Sequence, residues 1–562
     1  MGQARARYFV EAYFLEGVQQ GGTGMEKNME RNLLLLVPML VVAVFILLGS
    51  FFLQPPSSNG LARTTCMAES HVAGAIGYSP ASNGDRVGLS DGLFPFDLQS
   101  NERQDQSDKI RASDLFALND NNAATEWHIA SVQDPTDAEV RIYEENESVL
   151  SSGLPCVTLA VGVALTGDLR EGGRAILQGA YVAQKEYNDD VRQHGSGTLL
   201  RLLIANNGSD DLSTQTVARR IVKVAQSDRT FAGVMGWNYS AGTFNAIAVL
   251  GPAHIPLVSP TSSSDTLTNF SHYFFRIVPP DTQQIPYGVA YLRQLSHQRV
   301  ALLQDPTDVY SHSLATAFRT VFTSTYGDKS TIISGLYRRG MPLDQMARIV
   351  REVLDKKPDM IFFSGYWSDA SSLLINLQQI TAQPQYQQFA QLPIMGGDAL
   401  YELVRYQSKD RPDFSRLHFT AFASPDEWNY LCHNGQQAAC NFLPSQRFAR
   451  DYTLYYDDKK HPENSYGYNL ADAEAILAYD GIMVMLTAYQ NISVPNPTPQ
   501  DLRDALAKIT GPQAFQGISG QISFGLDGNP IDKAVVVVDV DSKSDRPQLV
   551  SLEVSDHFLK DT

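Results

Sequence analysis

The sequence predicts an α/β protein with two doubly wound parallel-sheet lobes, preceded by a transmembrane helix and a small helical segment. Three observations carry the expectation. From Cys156 onward, short apolar runs alternate with amphipathic stretches of helical spacing, the pattern of βαβ units around a mostly parallel sheet. The alternation pauses at RIVPPDTQQI and then resumes, which divides it into two series and hence two sheets. Near the start, Leu33 to Leu53 form an apolar run without a charge. At 562 residues the chain is too long for one core, given the usual ~100 to 200 residues per domain. Its formal charge of -17 speaks against nucleic acid as a partner, because such surfaces need clustered Lys and Arg to neutralise phosphates.

Taken in order, the first element is a cytoplasmic tail, 1–32, followed by the membrane span at 33–53. A run of about 21 apolar residues covers a hydrocarbon core of ~30 Å, and Pro38 is tolerated there. Lys27 and Arg31 precede the run and the next basic residue is Arg63, so the positive-inside rule places everything after Leu53 outside. A cleaved signal peptide is the alternative, but QPPSSNG follows the run where an A-x-A-like site is needed. Cys66 in LARTTC stands too far beyond the run for a lipidated cysteine.

Residues 54–105, rich in Pro, Ser, Gly, Asn and Asp, read as a flexible tether. Residues 106–150 carry apolar side chains at helical spacing, and DPTDAEVRIY resembles the turn and helix start of a single tetratricopeptide-like unit. Four cysteines occur in all. Cys432 and Cys440 flank HNGQQAA, whose Asn-Gly turn is able to bring them together as a disulfide; Cys66 and Cys156 have no pairing assigned from spacing.

The first series then runs CVTLAVGVAL (strand), GGRAILQGAYVAQKEYND (helix), TLLRLLIA (strand), LSTQTVARRIVKVAQ (helix), TFAGVMG (strand), AGTFNAIAVLG (helix) and IPLVSP (strand). The second runs from RVALLQ through HSLATAFRTVFTST, STIISGLY, DQMARIVREVLDKK, DMIFFSG and ASSLLINLQQI to LPIMGG. A long helix in NLADAEAILAYDGIMVMLTAYQ and a closing hairpin in GQISFGLDGNPIDKAVVVVDVD complete the chain.

Ligands of open α/β sheets bind beyond the carboxyl ends of the strands, so the residues just after each strand are the candidates. Ser240, and Ser262 to Ser264, precede helix starts, where hydroxyls and orphan N–H groups favour an anion such as a carboxylate; each taken singly also suits a plain N-cap. Tyr239, Tyr310, Tyr366, Trp367 and Trp237 fall on the same loops and suit an apolar or cation-attracting wall. Asp398, in GGDAL, offers a fixed negative charge for an ammonium. Hydroxyls facing a carboxylate suit a zwitterion. No nucleophile elbow, zinc-protease, P-loop or dinucleotide signature occurs, and the histidines lack metal-ligand spacing, so neither an enzyme nor a cofactor is expected.

From about Val157 to Asp541 the chain resembles the type I periplasmic binding proteins, specifically the leucine/isoleucine/valine-type substrate-binding proteins of ABC transporters. The blocks that carry the likeness are LTGD, GVMGWNYSAGT, IPLVSPTSSSDTLT, YFFRIVPPD, LLQDPTDVYSHSLA, FFSGYW and IMGGDAL. The resemblance implies two lobes joined by three crossings and a hinge, with lobe 1 at 156–279 and 425–519 and lobe 2 at 280–424 and 520–556. It implies Ser240 on the carboxylate of an α-amino acid and Ser263 and the main chain of Thr261 on the same backbone. Tyr310 and Tyr366 would come from the second lobe, with Asp398 on the ammonium, and Asp265 would only start a helix. One position departs: Gly172, in LTGDLREGG, stands about where many relatives carry an aromatic. The expected function is that of a membrane-anchored substrate-binding protein outside the cell membrane, capturing an amino acid or similar solute for an ABC permease. The alternative is a ligand-sensing ectodomain that signals through a partner.

Overall fold

The central strands after Cys156 are continuous apolar runs because they are covered on both faces. In the computed structural model, CVTLAVGV is buried at all eight positions. The structure describes residues 66, 74–81, 84–98, 103–210, 212–295, 297–405, 414–456, 471–541, 547–552 and 557–559. The expected tail at 1–32 and transmembrane helix at 33–53 lie outside the described residues, and among the described residues no helix is long and apolar enough to cross a membrane.

Strands β1 (Gly77–Pro80) and β2 (Arg86–Ser90) come first, then helices α1 (Gln106–Ala117), α2 (Ala123–Gln133) and α3 (Ala138–Ser151). The alternating part follows as β3 (Cys156–Val163), α4 (Arg170–His194), β4 (Leu199–Asn206), α5 (Ser213–Ser227), β5 (Phe231–Met235), α6 (Ser240–Leu250), β6 (Leu257–Ser259) and β7 (Phe274–Arg276). Then come α7 (Asp281–Leu295), β8 (Arg299–Gln304), α8 (Val309–Tyr326), β9 (Thr331–Leu336), α9 (Leu343–Leu354), β10 (Met360–Ser364), α10 (Trp367–Thr381), β11 (Ile394–Gly396) and β12 (Leu417–Ala421). After β12 the chain forms α11 (Glu427–His433), α12 (Gln437–Cys440), α13 (Leu443–Tyr456), α14 (Ala473–Gln490) and α15 (Pro499–Leu506), and closes with β13 (Phe515–Gly517), β14 (Gly520–Ile522), β15 (Val536–Val540) and β16 (Pro547–Leu552).

Two seven-stranded sheets result, ordered β1-β2-β4-β3-β5-β6-β7 and β16-β15-β12-β11-β10-β8-β9. The β3 to β7 and β8 to β12 portions are parallel, and the outer strands are antiparallel additions. Each sheet is buried between helical layers: Leu159, Val161 and Val163 pack with the layer of α4 and α14, whereas Ala160 packs with α5 and α6. The chain passes between the sheets at 277–280, 422–426 and 523–535, three crossings in all. Periodicity exposes only the first of these, because the later ones lack a regular pattern of their own.

Three readings of the sequence need correction. The expected tether at 54–105 is ordered between 84 and 98, where β2 extends the first sheet and a loop is buried against α1 and α3. Its polar composition does not signal exposure, because its charges are matched. Asp97 takes two 2.8 Å bonds from Arg174 and one from Arg103, Lys109 meets Asp137 at 2.6 Å and Glu139 at 2.7 Å, and Glu139 accepts from the Phe96 and Asp97 amides. Burial opposes ionisation of Asp97, but Arg103 and Arg174 outweigh it and hold the carboxyl well below the usual aspartate range. Accordingly α1 to α3 are part of the first lobe rather than a separate segment, with Asp137 capping α3 by accepting from the Glu139 amide.

The expected closing hairpin is not one. The strand at 520–522 pairs with β13, while β15 joins β12 in the second sheet; the Leu-Asp-Gly-Asn turn closes only the Phe524–Pro530 bridge. The turn chemistry is local, but the partners of the flanking strands are set by the last crossing. Finally, Asp265 does more than start a helix: Ser264 caps the short 3-10 turn at Asp265–Leu267, and Asp265 accepts from Thr282 and Ser313. The structure joins Cys432 to Cys440 and Cys66 to Cys156. The second bond pins residue 66 to the start of β3 across 90 residues of sequence.

Candidate functional site

Parallel strands deliver loops from both lobes to one cleft. From lobe 1, Asn238, Tyr239 and Ser240 follow β5, Thr261 follows β6, and Glu474 lies in the first turn of α14. From lobe 2, Tyr310 opens α8 after β8, Tyr366 is the N-cap of α10 after β10, and Asp398, Ala399 and Glu402 follow β11. These residues line one small cavity between the two sets of loops.

The lobe 1 side carries a helix N-terminus. Tyr239, the N-cap of α6, supplies no side-chain cap, so the first N–H groups and the positive end of the helix dipole are left toward the Ser240 end of the cavity. The Ser240 hydroxyl accepts from the Ser264 amide at 3.3 Å. Thr261 donates its hydroxyl to the Asn238 carbonyl at 2.8 Å, which spends that group on holding two lining segments together.

Opposite lies Asp398. Tyr310 donates to its Oδ1 at 2.9 Å, and Gln284 Nε2 donates to Asp398 Oδ1 and to Asp281 Oδ1, each at 3.0 Å. Thr420 donates to Gln284 Oε1 at 2.6 Å and so fixes which end of the amide faces the carboxylates. Burial pushes Asp398 up to about 6. Asp281, fully buried, is pushed up to about 7 by burial and then by the charge of Asp398. Gly397 makes the Tyr310 contact possible, since a Cβ there would stand 2.5 Å from the tyrosine hydroxyl.

The two walls already touch. Tyr239 donates to Glu402 Oε1 at 2.6 Å, with the Leu169 carbonyl a longer acceptor at 3.2 Å. Burial and the Glu402 charge both raise the Tyr239 hydroxyl well above its usual range, so it remains a donor. The Tyr366 ring contacts Tyr239 at 5.4 Å and Tyr310 at 5.3 Å between centroids. Beside the cleft, the Asp265 amide donates to Ser313 Oγ at 2.9 Å and Ser264 donates to the Val309 carbonyl at 3.2 Å.

A family model described as periplasmic binding protein matches residues 157–545, more than half of the chain. The chain belongs to the periplasmic binding protein family. Solved structures share the two-lobe type I fold. A leucine binding protein, LivK, from Thermotoga maritima is 21% identical with a TM-score of 0.56, covering 70% of this chain and 98% of its own. The branched-chain amino acid substrate-binding protein LivJ from Streptococcus pneumoniae, in complex with isoleucine, is 21% identical with a TM-score of 0.54, covering 71% and 99%. A solute binding protein of an ABC transporter from R. palustris, in complex with 4-hydroxybenzoate, is 12% identical with a TM-score of 0.56, covering 71% and 97%. No curated protein sequence matches the chain.

Of the residues expected at the ligand of this periplasmic binding protein, Ser240, Thr261, Tyr239, Tyr310, Tyr366 and Asp398 line the cavity. Ser262, Ser263 and Trp367 do not. Ser262 donates inward to the Trp237 carbonyl at 3.1 Å and meets Thr243 Oγ1 at 2.7 Å, so its hydroxyl is turned into the protein beneath the loop. Ser263 is fully buried beside the Asp281 carboxyl, and its carbonyl accepts from the Asp281 amide at 2.9 Å. Trp367 packs against the hydrophobic core, and Trp237 is a core residue rather than a wall.

Asn238, Glu402 and Glu474 were not expected. Asn238 has a signal in its position after β5, and Glu402 has one in its place after β11, in the same 3-10 helix as Asp398. Glu474 has none: more than two hundred residues separate it from Ser240 in sequence, and only the packing of α14 on α4 brings it to the cleft. At Gly172, a Cβ would meet Glu402 Oε1 at 2.5 Å, Tyr239 Oη at 2.7 Å and Asn238 Nδ2 at 2.8 Å. The missing side chain makes room for these three polar groups.

Proposed function

We propose that this periplasmic binding protein captures an α-amino acid between its lobes and presents it to an ABC permease, held at the membrane by the apolar run 33–53. The observation that supports the reading best is the opposition of the α6 N-terminus, with Ser240, to the Asp398 carboxylate across one small cavity. A zwitterion matches both ends: its carboxylate meets the helix N-terminus and Ser240, and its ammonium meets Asp398 and the Thr261 main chain. Charge-assisted hydrogen bonds contribute roughly 1.5 to 3 kcal/mol each, so three or four support affinity on the order of micromolar after ordering costs. An aromatic acid such as 4-hydroxybenzoate satisfies only the first end, since it has no ammonium for Asp398.

Thermal-shift and calorimetric titration with a panel of α-amino acids, benzoate and 4-hydroxybenzoate test the proposal. The expected result is stabilisation by at least one α-amino acid and its loss in Ser240→Ala. Stabilisation by the aromatic acids alone, or by none of the panel, refutes it.

A further inference from the structure

We infer that Arg276 is a positioning residue for ligand capture: it holds the loop after β6, and through that loop Ser240, to two of the three crossings between the lobes. The inference rests on the amino-acid reading of the cavity and goes beyond it, because Arg276 is not among the cavity's lining. Arg276 ends β7, directly before the first crossing, and it is fully buried. Its Nε donates to Asn529 Oδ1 at 2.7 Å and its Nη2 to Thr268 Oγ1 at 2.7 Å. Its Nη1 donates to the Ser264 carbonyl at 2.9 Å and to the Ser262 carbonyl at 3.2 Å. All four acceptors are uncharged. Burial brings the guanidinium down only to about 10, so it keeps its proton at neutral pH, and each of these bonds is charge-assisted.

The acceptors lie on separate parts of the chain. Asn529 belongs to the third crossing, which is seated closely on β7: the Gly528 carbonyl accepts from the Arg276 amide at 3.1 Å, and a Cβ at Gly528 would stand 2.0 Å from the Phe274 carbonyl oxygen. Ser264 is held from both sides, since its carbonyl accepts from Arg276 and its amide donates to Ser240 Oγ at 3.3 Å. The same loop reaches lobe 2, where Ser264 donates to the Val309 carbonyl and the Asp265 amide to Ser313 Oγ. Closure of two lobes bends the segments that join them. A cation bonded both to those segments and to the loop behind Ser240 therefore makes the placement of Ser240 depend on how the lobes are set. The planar guanidinium suits this task because its fixed fork reaches acceptors on several sides at once.

A double-mutant cycle separates this role from a merely structural one. Asn529→Ala removes the acceptor of Nε and leaves the loop and the cavity lining in place; it is combined with Ser240→Ala in the full chain. The standard α-amino acids are screened, and the tightest binder is titrated into the millimolar range by calorimetry, with dissociation followed by stopped flow. Asn529→Ala alone is expected to weaken binding at least roughly fivefold through faster dissociation, and less than about twofold in the Ser240→Ala background. Thr268→Val, which removes the acceptor of Nη2, is expected to show the same pattern and serves if Asn529→Ala does not fold. Equal losses in both backgrounds, or a lowered unfolding midpoint with unchanged affinity, overturn the inference while the amino-acid reading stands. Binding of no amino acid to the unsubstituted chain overturns both.

Discussion

Replacing Asp398 by Asn tests the site with one atom. Tyr310 and Gln284 both donate to Asp398 Oδ1, and an amide oxygen at that position keeps both bonds, so the substitution removes charge with little change of packing. A charge-assisted bond to the ligand ammonium is worth about 1.5 to 3 kcal/mol, which corresponds to a loss of roughly 10- to 150-fold in affinity at pH 8. The pH dependence sharpens the test. Asp398 is pushed up to about 6 by burial, whereas Asp281 is pushed up to about 7, so near neutrality the pair carries chiefly the charge of Asp398. Binding an ammonium requires the carboxylate, so affinity of the unsubstituted protein is expected to fall about tenfold between pH 7 and pH 5. The Asn variant is expected to be flat across that range.

Stability of the unliganded protein moves the other way. A carboxyl whose folded pKa is raised holds its proton in the native state after the unfolded chain has released it, so the native state loses stability as pH rises from 3.8 to about 6. That window amounts to up to about 3 kcal/mol, which Asp398→Asn recovers at pH 7. Calorimetric titration at pH 5, 6, 7 and 8, with thermal unfolding of the unliganded forms, measures both effects. Unchanged affinity in Asp398→Asn at pH 8, or a pH-independent affinity in the unsubstituted protein, refutes the reasoning.

Two further perturbations probe what builds the site. Asp97→Ala leaves Arg103 and Arg174 buried without their shared carboxylate and is expected to cost about 3 to 5 kcal/mol in urea unfolding; because the Asp97 carboxyl is held low in the fold, its contribution is present above the ordinary aspartate pKa and is lost as pH falls below it. Removing the Cys66–Cys156 bond by paired serine substitution is expected to cost about 4 to 5 kcal/mol, against about 2 to 3 kcal/mol for the Cys432–Cys440 pair, since the loops differ from 90 to 8 residues. Denaturant midpoints of the two double variants measure the difference, and an equal loss contradicts the loop-closure account.

The sequence by itself determined the class of fold and the ends of the site that follow parallel strands. CVTLAVGV and MIFFS read as buried strands because covering on both faces demands unbroken apolar runs, and Ser240, Tyr310, Tyr366 and Asp398 were legible because a loop after such a strand faces the cleft in any open α/β sheet. These are local consequences of composition and spacing. What only the tertiary structure decided depends on pairing across distance. The acidic stretch around Asp97 reads as tether until Arg174, 77 residues later, is seen to bind it; GQIS and AVVVV read as a hairpin until the third crossing sends them to different sheets. Ser263 and Trp367 share the loops of true lining residues yet face Asp281 and the core, because sequence order gives a loop its place but not the direction of each side chain. Glu474 reaches the cavity from a helix whose position is set by packing against α4, and Glu402 matters because Gly172, 230 residues earlier, has no Cβ to exclude it.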